Sequence, residues 1–396
     1  MRIRITFLAL ATTSAQHRNA EGPWISEITP LAEGDFADPR SLSIDGSVFV
    51  SGTDYRRLLR FDGDLTNASR TEFATEVDFI LGGIDYGKEV WAWTPYQHTD
   101  GSWHAYYTAN AFEIMYARPD PPGQKWTAAR PILRWKTMSK LVSAEGACYY
   151  DNRVQTDAAG RLYLITNHPS GPGAQGDVSI LALPMASPGR MAANWSSRAT
   201  VLLQPDTPKL NSERRDPGFV SITENTQIQV IRGAFVLFYS VGDYAKPNYK
   251  IGLAFSKSLL GPYSKIYLND TGNVWNNSEP MREVRYLMQS SVPDWPGFMN
   301  RFLSGPGIAS LVNTTSNGPA LVFHARHPNN QGSRYLWKFD YLQLKPGSWD
   351  LDDAAGLGDL LILGGACAPP FNNTPGALRC HHPMNQASGP SAPTSG

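Results

Sequence analysis

Short β-forming runs separated by Gly, Pro, Asn and Asp turns recur through most of this chain, and helical periodicity is scarce. Clear runs lie at 48–52, 103–108, 162–166, 235–240, 251–256 and 320–325. Strands this short and this numerous restrict the fold to a sandwich, a barrel or a propeller. Three of the units they form share a head. Asp38 stands in ADPRSLSIDGSVFVSGT, Asp151 opens DNRVQTDAAGRLYLIT and Glu224 opens ENTQIQVIRGAFVLFYS. In the last two a turn glycine, Gly160 or Gly233, follows nine residues later, and in the first Gly46 follows eight later. One supersecondary unit used repeatedly, with an acid at the same place in several copies, accounts for this recurrence. Copies arranged around an axis bring their acids together.

The spacing of the units chooses among the three architectures. With Asp38, Trp93, Asp151, Glu224 and Gly307 as one marker per unit, the steps are 55, 58, 73 and 83 residues. Each step accommodates a four-stranded blade with its loops. The fold expected is all-β, a five-bladed β-propeller over about residues 25–350. Residues 351–396 form a C-terminal extension. From about residue 366 it is rich in Pro, Ser, Gly and Asn without a strand period, and it reads as a tail. His381 and His382 stand there without further ligands at metal-binding spacing.

Aromatic residues are 11% of the chain and charged residues only 18%, a balance that suits a packed β protein and argues against disorder. Acidic and basic residues number 35 each, so no global field draws the chain to nucleic acid or an anionic membrane. A neutral ligand is expected. At the N-terminus Arg2 and Arg4 precede a short apolar run and small residues that allow cleavage after Ala15, so residues 1–15 read as a secretory signal peptide. No later segment has the roughly 18 continuous apolar residues of a membrane span. Sequons at Asn67, Asn194, Asn269, Asn276, Asn313 and Asn372 fit a secreted, extracellular glycoprotein. In that compartment Cys367 and Cys380 are close enough to pair, whereas Cys148 has no obvious partner.

The ordered motifs resemble those of glycoside hydrolase family 43, five-bladed propellers acting on arabinose-, xylose- and galactose-containing polysaccharides. The resemblance covers about residues 38–344. ADPR with VFVSGT is similar to the first-blade motif, WAWTPYQHTDGSWHAYYT to the second, DNRVQTDAAGRLYLIT to the third and ENTQIQVIRGAFVLFYS to the fourth. KIGLAFSKSLLGPYSK resembles the strand that follows the fourth motif, and ALVFHA and SRYL resemble fifth-blade elements.

This resemblance implies an inverting glycosidase. Asp38 is the general base, Glu224 the general acid, and Asp151 the residue that orients the acid and raises its pKa. Asp157 is the sequence alternative to Asp151, because the Pro that usually follows the third-blade acid is replaced here by Asn152 and Arg153. Glu213 and Asp216, in NSERRDPGF, compete with Glu224, and the Arg-Asp-Pro piece resembles fructan-cleaving propellers. Where the family commonly carries a Gly-His pair near the axis, Ile308 follows Gly307. No metal and no cofactor are therefore expected.

Trp91, Trp93 and Tyr96 are candidates for stacking on sugar faces, with blade packing as the alternative. His324 and Arg334 are candidates for hydrogen bonds to sugar hydroxyls. Their alternatives are a satisfied core histidine and a surface arginine. The expected partner is a polysaccharide or oligosaccharide substrate bound by a monomer, and the competing class is a carbohydrate-binding propeller without catalysis.

Overall fold

The computed structural model describes residues 24–32, 36–44, 46–53, 55–65, 71–74, 80–81, 84–85, 90–109, 113–119, 126–133, 150–169, 178–205, 222–231, 233–246, 248–265, 267–268, 283–284, 286–289, 304–314, 319–327, 330–340, 367–368 and 378–382. Almost all of them lie in antiparallel strands, with a single 3-10 turn at Trp195–Arg198. Among the described residues five sheets have four or more strands. Sheet 1 runs Arg40–Ile44, Ser47–Gly52, Tyr55–Asp62, Thr71–Ala74, and sheet 2 runs Val90–Gln97, Trp103–Ala109, Glu113–Pro119, Trp126–Leu133. Sheet 3 starts with Tyr150–Thr156, Leu162–Pro169 and Val178–Ser187, and sheet 4 with Thr223–Ile231, Ala234–Val241 and Lys250–Ser256. Sheet 5 runs Ser304–Asn313, Pro319–His327, Asn330–Asp340 and then takes Trp24–Ala32 from the other end of the chain.

The first strand of each sheet is its inner strand. Inner strands 1 and 2, 2 and 3, 3 and 4, 4 and 5, and 5 and 1 touch one another, so the ring closes. This is the all-β propeller class read from the sequence.

Packing explains why the second strands read as nearly continuous apolar runs. A sheet wedged between two neighbours buries both faces, so alternation disappears. In Ser47–Gly52 and Trp103–Ala109 every residue is buried. The wedges are filled by separate clusters: Phe49 with Trp93, Trp103 and Tyr107 between sheets 1 and 2, Tyr106 with Leu164 and Leu183 between 2 and 3, Ile165 with Leu237 and Tyr239 between 3 and 4, and Val48 with Val322 and Leu336 between 1 and 5. The turn glycines at the heads of these second strands, Gly160 and Gly233 among them, take φ of 76° and 84°, a conformation in which any Cβ is strained.

A recurring backbone feature sets the phase of the blades. Six described non-glycine residues have positive φ, and five of them mark the inner strands: Asp38, Ala92, Asp151, Asn225 and Ile308. Each falls on or within one residue of a sequence marker. In sheets 2 to 5 the strand register shifts at this point, the mark of a β-bulge. A left-handed L-residue costs roughly 1–2 kcal/mol, so the conformation persists only where surrounding contacts impose it.

The C-terminal segment departs from the tail expected. Leu378–His382 pairs with Trp24–Ala32, and Cys367–Ala368 pairs with Leu378–His382, extending sheet 5. The open edge of Trp24–Ala32 supplies the hydrogen bonds that a polar sequence without strand period does not advertise. The register sets Cys367 opposite Cys380. Cys148, Glu213, Asp216 and residues 1–15 lie outside the described residues.

The wedge architecture makes a direct stability test. Leu237 is fully buried between sheets 3 and 4, whereas Val230 is 59% exposed. Leu237→Ala should lose about 2–5 kcal/mol of unfolding free energy and Val230→Ala about 0.5 kcal/mol or less, measured by urea denaturation. Equal losses would mean that the clusters between sheets do not hold the ring.

Candidate active site

Asp38 takes a left-handed conformation ahead of the first strand of sheet 1, and two side chains contact it, His324 and Thr53. The Asp38 backbone N–H donates to His324 Nδ1 at 2.9 Å, and the same nitrogen lies 3.6 Å from Asp38 Oδ1. Thr53 donates its hydroxyl proton to Asp38 Oδ2 at 2.5 Å. The Ala92 N–H donates to the same Thr53 oxygen at 3.0 Å, which leaves the hydroxyl proton to Asp38. Asp38 therefore joins sheets 1, 2 and 5 at the axis. Its side chain keeps 16% exposure, so a water molecule or a ligand can reach it.

Glu224 is 7% exposed and is held by two phenols. Tyr249 donates to Oε1 at 2.7 Å and Tyr150 to Oε2 at 3.1 Å. Burial first, then the neighbouring Glu224 and Asp38, push the Tyr249 hydroxyl well above its ordinary value, so it remains a donor. Tyr249 also stacks on His324 with ring centroids 5.8 Å apart. A continuous path thus runs from Asp38 through His324 and Tyr249 to Glu224. It depends on a bare backbone at Gly307, where a Cβ would come within 2.0 Å of the Tyr249 ring and 2.9 Å of His324 Nε2.

Asp151 is the most enclosed acid. Asn167 donates to Oδ2 at 2.8 Å, and Arg40 Nη2 lies 3.3 Å from Oδ1. The same Arg40 nitrogen donates to Asn225 Oδ1, and Asn225 Nδ2 donates to Tyr249 at 3.3 Å. Burial is the largest influence on Asp151 and holds its carboxyl well above the ordinary range. Arg40 pulls it down, and Asp38 and Glu224 push it up. The structure thus brings Asp38, Asp151 and Glu224 within electrostatic reach of one another. Asp157 does not share this place. It closes the turn ahead of the second strand of sheet 3, bonded to Ala159 and Arg161.

No protein-family model and no curated protein sequence matches the chain. Solved structures do. A thermostable family-43 glycoside hydrolase aligns over 83% of this chain and 94% of its own at 16% identity, with a TM-score of 0.54. An endo-1,4-beta-xylanase from Bacteroides thetaiotaomicron aligns over 81% of this chain and 94% of its own at 15% identity and a TM-score of 0.53. An endo-arabinase from the same organism aligns over 81% of this chain and 99% of its own at 16% identity and a TM-score of 0.52. The chain has a family-43-like fold. At these identities the likeness concerns the fold.

Within this family-43-like fold the ligand-binding candidates take the following places. Trp93 is 1% exposed and packs 5.6 Å from the Tyr107 ring, so it is a core residue and not a sugar platform. His324 is fully buried with Nδ1 committed to the Asp38 backbone, so it positions an acid and does not meet sugar hydroxyls. Tyr96 is half-buried, its hydroxyl 3.1 Å from His98 Nδ1 and 3.3 Å from Thr156 Oγ1, which also reads as packing. Trp91 is half-buried and directly precedes the left-handed Ala92. Arg334 is half-buried with its guanidinium 5.7 Å from the Tyr244 ring.

The residues that support the acids were missed. Arg40 and Tyr150 stand beside the acids in the motifs and Asn225 follows Glu224, so adjacency was an available signal. Thr53 closes the first-blade motif VFVSGT, whereas Tyr249 stands outside the motifs.

The donor set does not suit an axial cation. Two arginines, Arg40 and Arg153, are buried on the inner strands, and among the described residues no group of three His, Cys, Asp or Glu side chains could hold a metal.

The raised Asp151 pKa has a stability consequence. The folded protein binds that proton more tightly than the unfolded chain, so stability falls as pH rises from the ordinary carboxylate value through the raised one. Asp151→Asn removes this loss. The melting temperature of the variant relative to the parent should grow more positive from about pH 4 to about pH 8. A flat or falling difference would contradict the assignment.

Proposed function

We propose that this chain is a glycoside hydrolase that inverts the anomeric centre of arabinose-, xylose- or galactose-containing polysaccharides or oligosaccharides. The observation that carries the reading is that Asp38 and Glu224 are each held by side-chain hydroxyl donors, Thr53 for one and Tyr249 and Tyr150 for the other, with buried Asp151 in electrostatic reach of both. The likeness of the fold to a xylanase and an endo-arabinase supports the substrate class.

In this reading Glu224 carries a proton and gives it to the glycosidic oxygen as the bond from that oxygen to the anomeric carbon breaks. Asp38 is ionised and takes a proton from water, whose oxygen forms the new bond on the opposite face. Separations of roughly 6.5–9.5 Å between such carboxyls leave room for the water. Tyr249 and Tyr150 fix the Glu224 carboxyl, and Thr53 and His324 fix Asp38. Asp151 tunes the field at Glu224, with Arg40 keeping it in place. The leader-like N-terminus and the sequons support a secreted, glycosylated enzyme.

The two roles separate kinetically. Glu224→Ala should lose about 10²–10⁴ in kcat/KM on a natural glycoside and far less on an aryl glycoside with a good leaving group, which needs no proton. Asp38→Ala should lose a comparable factor on both, because water must be activated whatever departs. The measurement is kcat/KM across aryl arabinosides, xylosides and galactosides of graded leaving-group pKa. Wild-type activity in both variants would move the chemistry elsewhere. Oligosaccharide binding without cleavage by the parent would replace the enzyme with a carbohydrate-binding propeller.

A further inference from the structure

Two residues beyond each left-handed position, the inner strands present one further level of side chains to the axis: Arg40, Thr94, Arg153, Gln227 and Ser310. All five are buried. The three neutral members have partners. Thr94 donates to the Ala92 and Asn152 carbonyls at 2.9 and 2.7 Å, and Gln227 accepts from Leu311 N–H at 2.7 Å. Ser310 accepts from Arg153 Nη2 at 3.1 Å.

Both guanidiniums reach from one sheet to another. Arg40 reaches from sheet 1 to Asp151 of sheet 3 and Asn225 of sheet 4, using Nη2 alone. Arg153 reaches from sheet 3 to Ser310 of sheet 5, using Nη2. Arg40 Nε, Arg40 Nη1 and Arg153 Nε are buried and have no hydrogen-bond partner among the described residues. Among the described residues Asp151 pairs with Arg40, and Arg153 has no carboxylate at ion-pair distance. Asp151, already paired with Arg40, is also the carboxylate that acts on Arg153, so among the described residues the two buried cations share one direct counter-charge and keep three unmet N–H donors. Each unmet buried donor of this kind is costly, more so on a charged group.

We propose that this level of the axis binds a monatomic anion of halide size between Arg40 and Arg153. Water would accept the N–H bonds but leave the repulsion between the guanidiniums in place. Burial, and next the charge of Arg40, already push Arg153 down from its ordinary value, which an anion would offset. The inner strands touch in a closed cycle, so side chains bound the space at this level and favour a small ion. The site does not rest on the glycosidase reading.

The test uses the full-length protein exchanged into sodium gluconate and titrated with chloride or bromide at constant ionic strength. Melting temperature should rise saturably by roughly 2–4 °C with either halide, and Arg153→Met should abolish the rise. Crystals grown in bromide should show an anomalous peak between Arg40 Nε and Arg153 Nε. If Arg153→Met does not fold, the peak in the parent protein decides alone. A halide-independent melting temperature with no axial peak, or bromide found only at the surface, would overturn the proposal.

Discussion

A guanidinium buried at the centre of a ring of strands has no bulk water to solvate it, so its neighbours must do so. Arg40 is fully buried and meets this demand by reaching Asp151 in sheet 3 and Asn225 in sheet 4. That single side chain ties three sheets together and supplies the counter-charge that an enclosed Asp151 requires. Breaking such a buried pair by removing one partner typically costs about 3–5 kcal/mol, because a charge is left uncompensated. The left-handed backbone at Asp151 and Asn225 delivers both acceptors to the guanidinium, so local strain and axial electrostatics sustain each other. Asn225 then contacts Tyr249, and Tyr249 fixes Glu224. The acid farthest from Arg40 along this path depends on it through two side chains.

The phase of the repeat was readable because it is written in local chemistry. An acid before a strand, a turn glycine eight or nine residues later and a buried second strand recur in three units, and the left-handed positions fall on or beside the marker residues of the sequence. The three acids were readable for the same reason, since each stands at the head of its unit.

What was hidden depended on contacts between units. WAWTPYQ offers Trp91 and Trp93 two residues apart, which in a regular strand share a face. The bulge at Ala92 breaks that alternation, leaving Trp91 half-buried and Trp93 enclosed. His324 reads equally well as a ligand residue or a core residue until the Asp38 N–H is found against its ring. Tyr249 comes from the loop between two strands of sheet 4 and shows no motif, because its partner Glu224 is brought to it only by pairing of the strands. The C-terminal strands were invisible because the edge they join, rather than their own sequence, makes them strands.

The central claim is that an acid and a base facing one another across the axis hydrolyse a glycosidic bond in a single displacement. The most direct test follows the first product of a cleaved arabinoside, xyloside or galactoside by proton NMR, before mutarotation mixes the anomers. A single displacement releases the anomer opposite to that of the substrate. Release of the same anomer would mean a covalent intermediate on one carboxylate, and would contradict the roles given to Asp38 and Glu224.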